Sequence, residues 1–236
     1  MQQEKALKVL KSGANVFLTG SAGTGKTYVL NKYIEYLKIR KIPVAVTAST
    51  GIAATHMNGM TIHSWSGIGV KDELSRRNLL NMRTKKHLIK NFKKVKVLII
   101  DEVSMLHKNQ LGMVDQVLKE FKESDLPFGG IQIVLSGDFF QLPPIGRNAE
   151  RSREKFCFMS PSWVEANLNI CYLSTQFRQT DLSLNAILNQ IRSCKVSPQS
   201  IALLQKAKST SLAEELQPTR LFTHNVDVDR INEEEL

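Results

Sequence analysis

A glycine-rich octapeptide near the start of the sequence constrains the fold more than any other feature. Residues 20–27 read GSAGTGKT, the pattern G-x-x-x-x-G-K-[ST], and they lie between an apolar run at 15–19 and a helical pattern extending to about residue 37. Glycines let the backbone curl so that successive N–H groups face phosphate oxygens, and the following helix adds its positive end. The spacing therefore predicts a phosphate-binding loop between a strand and a helix.

The residue types of this loop predict how it binds a nucleotide. The Lys26 ammonium would reach the β- and γ-phosphates, and the Thr27 hydroxyl would bind Mg²⁺. The other loop residues would hold phosphate mainly through their backbone, and they are Gly20, Ser21, Ala22, Gly23, Thr24 and Gly25. A chance match is the alternative, but the strand and helix around the loop are those that the motif requires.

An acidic pair follows a second apolar run. Residues 97–102 read VLIIDE, so Asp101 and Glu102 leave the predicted strand at its carboxyl end, where ligands of parallel sheets bind. Asp101 would hold Mg²⁺ through water, and Glu102 would activate the attacking water as a general base. The pair alone could be a solvated strand end. Beside a phosphate loop, it favours nucleotide hydrolysis over phosphoryl transfer to a metabolite.

The order of apolar runs predicts an α/β fold. Strand patterns alternate with helical stretches, without hairpin turns between them, and they lie at 15–19, 44–48, 94–100 and 131–136. This order is typical of a parallel sheet with helices on both faces. The sequence therefore predicts one complete α/β domain over residues 1–168.

A second, incomplete α/β domain is predicted over residues 169–236. After a polar stretch at 147–155, strand candidates at 169–175 and 219–223 alternate with helical segments at 182–192 and at the end of the sequence. A series that stops within a helix is half a sheet, so we expect a truncated domain.

Positive charge is concentrated in one segment. The chain has 32 Lys and Arg against 22 Asp and Glu, and residues 71–96 carry +8 of the net charge of +10. A basic patch of this kind favours a polyanionic partner such as nucleic acid. The segment also has apolar residues that could dock it as a helix, namely Leu79, Leu80, Met82, Leu88, Ile89 and Phe92.

The cysteines and the hydropathy argue against several classes of protein. Three cysteines without a CxxC pair fit a reducing compartment better than a disulfide scaffold or a zinc site. The sequence shows no signal peptide, and its longest apolar runs, of about four residues, are far below the ~20 that span a bilayer. We expect a monomer without membrane contact in an intracellular compartment that contains DNA.

Six motifs, in order, resemble the petite-integration-frequency (Pif) family of superfamily-one DNA helicases, which are related to RecD-type helicases. They read NVFLTGSAGTGKT, VTASTGIAA, TIHSW, VLIIDEVSML, LSGDFFQLPP and STQFRQTD, and they extend over nearly the whole chain. The resemblance implies a RecA-like P-loop domain followed by part of a second one. It implies an ATP-dependent 5′→3′ helicase that acts on single-stranded DNA and its junctions with duplex, in repair, recombination or telomere maintenance. With an incomplete second domain, we expect the chain by itself to bind nucleotide and DNA weakly and to unwind duplex poorly or not at all.

The resemblance also assigns roles around the nucleotide. Gln3 is similar to the glutamine that reads adenine, and Gln141 to the γ-phosphate sensor that links nucleotide state to DNA. Arg178 is similar to an arginine finger contributed by the second domain, where its guanidinium would neutralise charge in the transition state. Asp138 would order the loop before Gln141. Ordinary surface positions are the alternatives for Gln3 and Arg178.

The same resemblance implies where DNA binds. Contacts would come from Thr47, Ser49, Thr50 and Gly51 of TASTG, and from Thr61, His63, Ser64 and Trp65 of TIHSW. Small hydroxyl groups and backbone amides suit phosphate oxygens without reading sequence. Trp65 would stack on a base or belong to the core, and for His63 a core position is likewise open.

By the same resemblance, the basic segment belongs to a small insertion, at about residues 67–96, that would help form the wedge where duplex meets single strand. Its DNA-binding candidates are Lys85, Lys86, Lys93 and Lys94. A solvated helix face is the alternative, and the two interpretations are compatible.

Two other functions stay open on the sequence. The chain could be a nucleotide-gated module that binds single-stranded DNA without unwinding duplex. It could also be an unrelated ATPase switch or a small-molecule kinase, which predicts no stimulation by single-stranded DNA.

Overall fold

The computed structural model describes residues 1–146, 150–210, 219, 221–222 and 225–235, in two compact units, Met1–Leu182 and Ser183–Leu236. The first unit contains a sheet whose strands, in chain order, are β1 (Val16–Gly20), β2 (Val44–Ala48), β3 (Met60–Thr61), β4 (Val97–Asp101), β5 (Gln132–Gly137) and β6 (Asn169–Leu173). They are arranged β3-β2-β4-β5-β1-β6 with every pairing parallel. The predicted parallel α/β fold is confirmed.

Helices cover both faces of this sheet. In the first unit they are α1 (Gln3–Lys11), α2 (Lys26–Ile39), α3 (Gly51–His56), α4 (Ile62–Ser66), α5 (Arg76–Arg83), α6 (Lys86–Lys94), α7 (Lys108–Lys122) and α8 (Pro161–Glu165). In the second unit they are α9 (Leu182–Arg192, which begins at the boundary), α10 (Pro198–Lys208) and α11 (Asn225–Glu235). No helix of the described residues has both the length and the hydropathy to cross a bilayer.

Side chains alternate between two cores because successive residues of a strand point to opposite faces. In β4, Val97 and Ile99 pack into one core, and Leu98 and Ile100 into the other. Helices α1 and α2 complete the first core, while α4–α7 complete the second. Burial on both faces explains why the strand reads as a continuous apolar run.

The basic segment forms two amphipathic helices, α5 and α6. Leu79, Met82, Leu88 and Phe92 are buried in the second core, as the apolar pattern predicts, and the basic side chains face solvent. Leu80 is 55% exposed, so its place on the docked face was predicted wrongly. The strand predicted at 94–100 begins only at Val97, since α6 extends through Lys94.

The structure divides the chain later than predicted. We expected residue 169 to open a second domain, but β6 pairs with β1 from Val16↔Asn169 to Gly20↔Leu173 and is an edge strand of the first sheet. The division falls after Leu182 instead. The hydrogen-bond ladder along β1 is the reason, because a paired edge strand cannot belong to a separate unit.

Two predicted segments fall partly outside the described residues. Of the polar stretch at 147–155, residues 147–149 are not described. Glu150 is hydrogen-bonded to His107 at 3.0 Å and forms an ion pair with Lys108 at 3.3 Å. Of the strand candidate at 219–223, only 219 and 221–222 are described, without strand structure. The assignment of the second unit to a RecA-like domain stays a prediction.

Candidate functional site

The glycine-rich loop leaves β1 at its carboxyl end and leads directly into α2. Gly25 precedes the helix with φ +83°, a left-handed conformation that glycine adopts without a steric penalty. Lys26 is the first helical residue, and its Nζ donates to the carbonyls of Gly20 at 2.9 Å and Ser21 at 3.3 Å. The helix N-terminus and the lysine ammonium therefore combine positive charge at one place.

A cleft of about 380 Å³ opens beside this loop. Its walls bring together residues that lie far apart in the sequence: Ala22, Gly23, Gly25, Lys26, Thr27, Glu102, Gln141, Phe177 and Arg178. Five of these residues have a predicted side-chain role at the nucleotide, and all five line the same cleft: Lys26, Thr27, Glu102, Gln141 and Arg178. The topology explains this, because the carboxyl ends of parallel strands meet at one edge of the sheet.

Asp101 is the last residue of β4, and Glu102 follows it. Strand β5 lies between β4 and β1 in the sheet. Asp101 is 5% exposed, and burial raises the pKa of its carboxyl, opposed by the Ser136 hydroxyl, the Glu102 backbone and the Lys26 ammonium. Burial also raises the pKa of Glu102, with a further increase from Asp101, while Lys26 and Arg178 lower it. The two carboxyl groups therefore share the electrostatic environment of the phosphate loop.

The backbone of Glu102 is in the left-handed region, with φ 52° and ψ 43°. A non-glycine residue in this region costs on the order of 1–3 kcal/mol and persists only where its surroundings hold it. Ser49 supplies such a restraint: its N–H donates to Asp101 O at 3.0 Å, and its Oγ to Glu102 O at 2.7 Å. Sequence reasoning missed both the conformation and this restraint.

Asp138 orders the loop before Gln141, as the motif predicts. Its side chain is 1% exposed and accepts from the Phe140 N–H at 3.2 Å and from Gln141 Nε2 at 3.2 Å. The Gln141 N–H donates to Asp138 O at 2.9 Å. These bonds turn the loop so that Gln141 lines the cleft.

Gln3 lies at a second cavity, of about 360 Å³, on the other side of the loop. Its Nε2 donates to Thr24 O at 3.1 Å, and it lines this cavity with Leu173 and Phe177, among others. Gln3 is therefore not an ordinary exposed glutamine. Nε2 carries a second hydrogen and Oε1 is an acceptor, which are the groups that would pair with adenine.

Arg178 belongs to the first unit, not to a second domain as the resemblance implied. The residues before it, Gln176 and Phe177, are hydrogen-bonded to the phosphate loop. Neither received a role from the sequence, although both stand in the QFRQ motif. Their contacts depend on the tertiary approach of the two segments and could not be predicted from spacing.

Three of the predicted DNA contacts are buried. Thr47 is 0% exposed, and its hydroxyl donates to Ile99 O at 2.7 Å, which adds a side-chain hydrogen bond between β2 and β4. Ser49 is 9% exposed and serves Glu102 as described above. Trp65 is 6% exposed and packs edge-on to Phe92 with ring centroids 4.9 Å apart, which makes it a core residue. Internal partners thus use the Thr47 and Ser49 side chains, contrary to the predicted DNA contacts, and for Trp65 the structure agrees with the core alternative.

The remaining candidates leave some surface for a ligand. Gly51 and Ser64 are exposed, and the Thr50 and Thr61 hydroxyls cap the helices α3 and α4. His63 is half-buried, and burial lowers its pKa, opposed by a hydrogen bond with the Gln110 side chain. The four lysine candidates of the basic segment, Lys85, Lys86, Lys93 and Lys94, are exposed.

The oxygen donors near the loop suit Mg²⁺. The described residues contain no group of three or more His, Cys, Asp or Glu that could hold a metal alone. Mg²⁺ bound with substrate phosphates needs only one or two protein oxygens, and the Thr27 hydroxyl and the Asp101 carboxylate are of this type. The donor set therefore fits Mg²⁺ delivered with a nucleotide.

A parallel sheet with this loop, this acidic strand end and a shared cleft defines a P-loop NTPase of the RecA-like class. The family model of the PIF1-like helicases matches residues 2–197. The chain belongs to that family.

Individual relatives agree with this assignment. The chain is 57% identical to the ATP-dependent DNA helicase Pif1 of Psychrobacter sp., with all of this chain and 37% of that protein covered. The crystal structure of Pif1 helicase from Candida albicans superposes with a TM-score of 0.90 at 34% identity, covering 100% of this chain and 53% of that one. Pif1 from Bacteroides in complex with ADP-AlF3 and single-stranded DNA superposes with a TM-score of 0.86 at 32% identity, covering 99% and 56%. The chain thus spans between a third and three fifths of these relatives.

Proposed function

We propose that this chain is the nucleotide-hydrolysing part of an ATP-dependent DNA helicase. The observation that carries the proposal is the single cleft lined by Lys26, Glu102 and Arg178 together with the phosphate loop. The Psychrobacter relative is named as an ATP-dependent DNA helicase, and the Bacteroides relative was crystallised with ADP-AlF3 and single-stranded DNA. We extend both properties to this chain.

The geometry supports a division of roles in hydrolysis. Loop amides and the Lys26 ammonium would hold the β- and γ-phosphates, and the Gln3 amide would pair with adenine. The Glu102 carboxylate would accept the proton of the attacking water, and its raised pKa brings it closer to the operating pH, where a general base is most effective. Arg178 would neutralise charge in the transition state, and Gln141 would respond to the γ-phosphate.

Thr27 and Asp101 would hold Mg²⁺, Asp101 through water. Bound there, the ion would neutralise charge on the phosphate oxygens. Because Asp101 is nearly buried at the strand end, its carboxylate can hold this position without the mobility of a surface side chain.

Single-stranded DNA would bind across the edge of the sheet where α3 and α4 begin. The candidates that the structure leaves accessible there are Thr50, Gly51, Thr61, His63 and Ser64. The exposed lysines of the basic segment would contact duplex at a junction. We propose 5′→3′ translocation, action as a monomer, and a role in genome maintenance in a compartment that contains DNA.

ATP hydrolysis with and without a single-stranded oligonucleotide tests the proposal. We expect DNA to stimulate hydrolysis and Lys26→Ala to lower it by about 10²–10³-fold, as the loss of a main transition-state electrostatic contact does. Lys32→Ala is the matched control, since Lys32 lies on the exposed side of the same helix in an ion pair with Glu35. Hydrolysis that survives Lys26→Ala would refute the site, and hydrolysis insensitive to DNA would favour a switch or kinase.

Unwinding separates the helicase from a module that only binds DNA. A protein in which this chain is followed by a complete second domain should, with ATP, separate forked duplexes that carry a 5′ single-stranded tail and not those that carry a 3′ tail. ATP-dependent binding of single-stranded DNA without strand separation would instead support the nucleotide-gated module.

A further inference from the structure

The segment that carries Arg178 is hydrogen-bonded to the phosphate loop through the Gln176 side chain and the Phe177 backbone. Gln176 Nε2 donates to Ala22 O at 2.6 Å, while its Oε1 accepts from the N–H groups of Phe177 at 3.1 Å and Arg178 at 3.4 Å. The Phe177 N–H also donates to Gly23 O at 2.9 Å. The amide of Gln176 therefore connects the loop, through its donor, to the backbone of the arginine, through its acceptor.

Gly23 shows how closely the two segments approach. It has φ +83°, and a Cβ atom there would lie 2.6 Å from Arg178 Cβ and would overlap Gln176 Oε1. Contacts this short are absent from real side chains, so the docking requires glycine at this position. The second glycine of the loop therefore admits Gln176 and Arg178, in addition to any role with phosphate.

The docking does not compete with a nucleotide for the same atoms. Gln176 and Phe177 both bind carbonyl oxygens of the loop, at Ala22 and Gly23. Phosphate oxygens are acceptors and can bind only the N–H groups of the loop. The segment can therefore stay docked while phosphate occupies the loop.

The docked segment brings the Arg178 side chain to the cleft that Lys26 and Glu102 line. Arg178 and Glu102 therefore line the same cleft. Arg178 is nevertheless an exposed residue, so packing around its side chain does not hold it in place. The hydrogen bonds of Gln176 and of the Phe177 N–H restrain the backbone that carries it.

We infer that Gln176 is a positioning residue that holds Arg178 at the phosphate loop. The arginine then moves with the loop that binds the phosphates, and its charge is in place before the transition state forms. A preorganised charge of this kind acts without reorganisation at the moment of reaction. The inference rests on the proposed ATP hydrolysis, in which Arg178 acts on the transferred phosphate.

Two substitutions separate the donor from the acceptor function of Gln176. Gln176→Met has similar length without hydrogen-bonding groups, so it loses every contact of the amide. Gln176→Glu keeps an acceptor for the Phe177 and Arg178 N–H groups but cannot donate to Ala22 O. Gln116→Met is the matched control, because Gln116 is exposed on α7, at a cavity formed by other residues.

Steady-state ATP hydrolysis at saturating single-stranded DNA gives the first test. We expect Gln176→Met to lower kcat about 10-fold with less than a threefold change in KM for ATP, because only the transition-state contact is lost. Gln176→Glu should retain an intermediate kcat, and Gln116→Met the full value. A lower affinity for ATP with unchanged kcat would overturn the inference, as would equal kcat for Gln176→Met and Gln116→Met.

A double-mutant cycle tests whether Gln176 acts through Arg178. If it does, Gln176→Met added to Arg178→Ala lowers kcat by less than about twofold, since the arginine is already absent. Multiplicative losses would show that Gln176 acts independently and would overturn the inference.

Amide hydrogen exchange supplies a readout that does not depend on hydrolysis. The Phe177 N–H donates to Gly23 O and to Gln176 Oε1, so it should exchange faster in Gln176→Met than in Gln116→Met. Equal exchange would refute the docking. If Lys26→Ala retains hydrolysis, the proposed function fails, whereas loss in Lys26→Ala with no effect of Gln176→Met refutes only the inference about Gln176.

Discussion

Ser49→Ala tests whether the TASTG motif contacts DNA directly or supports the catalytic strand end. Ser49 is 9% exposed, and its Oγ donates to Glu102 O at 2.7 Å. The substitution removes this hydrogen bond and leaves the Ser49 N–H bonded to Asp101 O at 3.0 Å. The expected change is therefore confined to one contact with the residue proposed as general base.

The loss of this bond has two predictable consequences. Because the Met105 N–H also donates to Glu102 O, at 3.1 Å, the carbonyl keeps one partner, and the loss of a single hydrogen bond costs about 0.5–1.5 kcal/mol. For a chain of this size each kcal/mol lowers Tm by about 2–4 °C, so the melting temperature should fall by roughly 1–6 °C. Glu102 is held in a left-handed conformation worth on the order of 1–3 kcal/mol of strain, and with less restraint it should relax and lower kcat by about 10-fold.

Thermal unfolding, ATP hydrolysis and DNA binding at several salt concentrations distinguish the two roles. Thr55→Ala is the matched control, because its hydroxyl donates to Gly51 O at 3.0 Å on the exposed side of α3, where water can replace it. If Ser49 instead bound DNA phosphate, Ser49→Ala would weaken DNA binding with Tm and DNA-free kcat unchanged. That result would refute the assignment of Ser49 to Glu102.

Three further predictions follow from the site and its surroundings. Glu102→Gln should keep ATP binding and lose hydrolysis by about 10²-fold or more, since the amide cannot accept the proton of water; hydrolysis near the wild-type rate would exclude Glu102 as the base. Trp65→Ala should destabilise the chain by about 3–5 kcal/mol, measured by denaturant unfolding, because its ring is buried against Phe92; a stable variant with weakened DNA binding would restore the stacking role. Four exposed lysines of the basic segment, Lys85, Lys86, Lys93 and Lys94, can be exchanged together for glutamine. The exchange should reduce the salt dependence of binding to a forked duplex by up to about 4 in log–log slope, and an unchanged slope would make the basic segment a solvated helix face.

The fold class, the family and the phosphate loop can all be predicted from the sequence alone. The loop is predictable because its chemistry depends on residues that are neighbours in the chain, from Gly20 to Thr27. The strands are predictable because a parallel strand buried on both faces must be a short apolar run, as in β4. The meeting of Lys26 and Glu102 at one edge follows from parallel order alone.

The use of individual side chains depends on tertiary contacts that the sequence does not show. The motifs make Ser49 and Trp65 candidates for DNA contact. In the structure, Ser49 is hydrogen-bonded to Glu102, and Trp65 packs on Phe92. The sixth strand joins the first sheet through its register with β1, and Gln176 reaches Ala22 across 154 positions of the chain. Spacing along a sequence predicts contacts over a few residues, whereas these contacts depend on how distant segments pack, and burial then determines which polar groups remain free for a ligand.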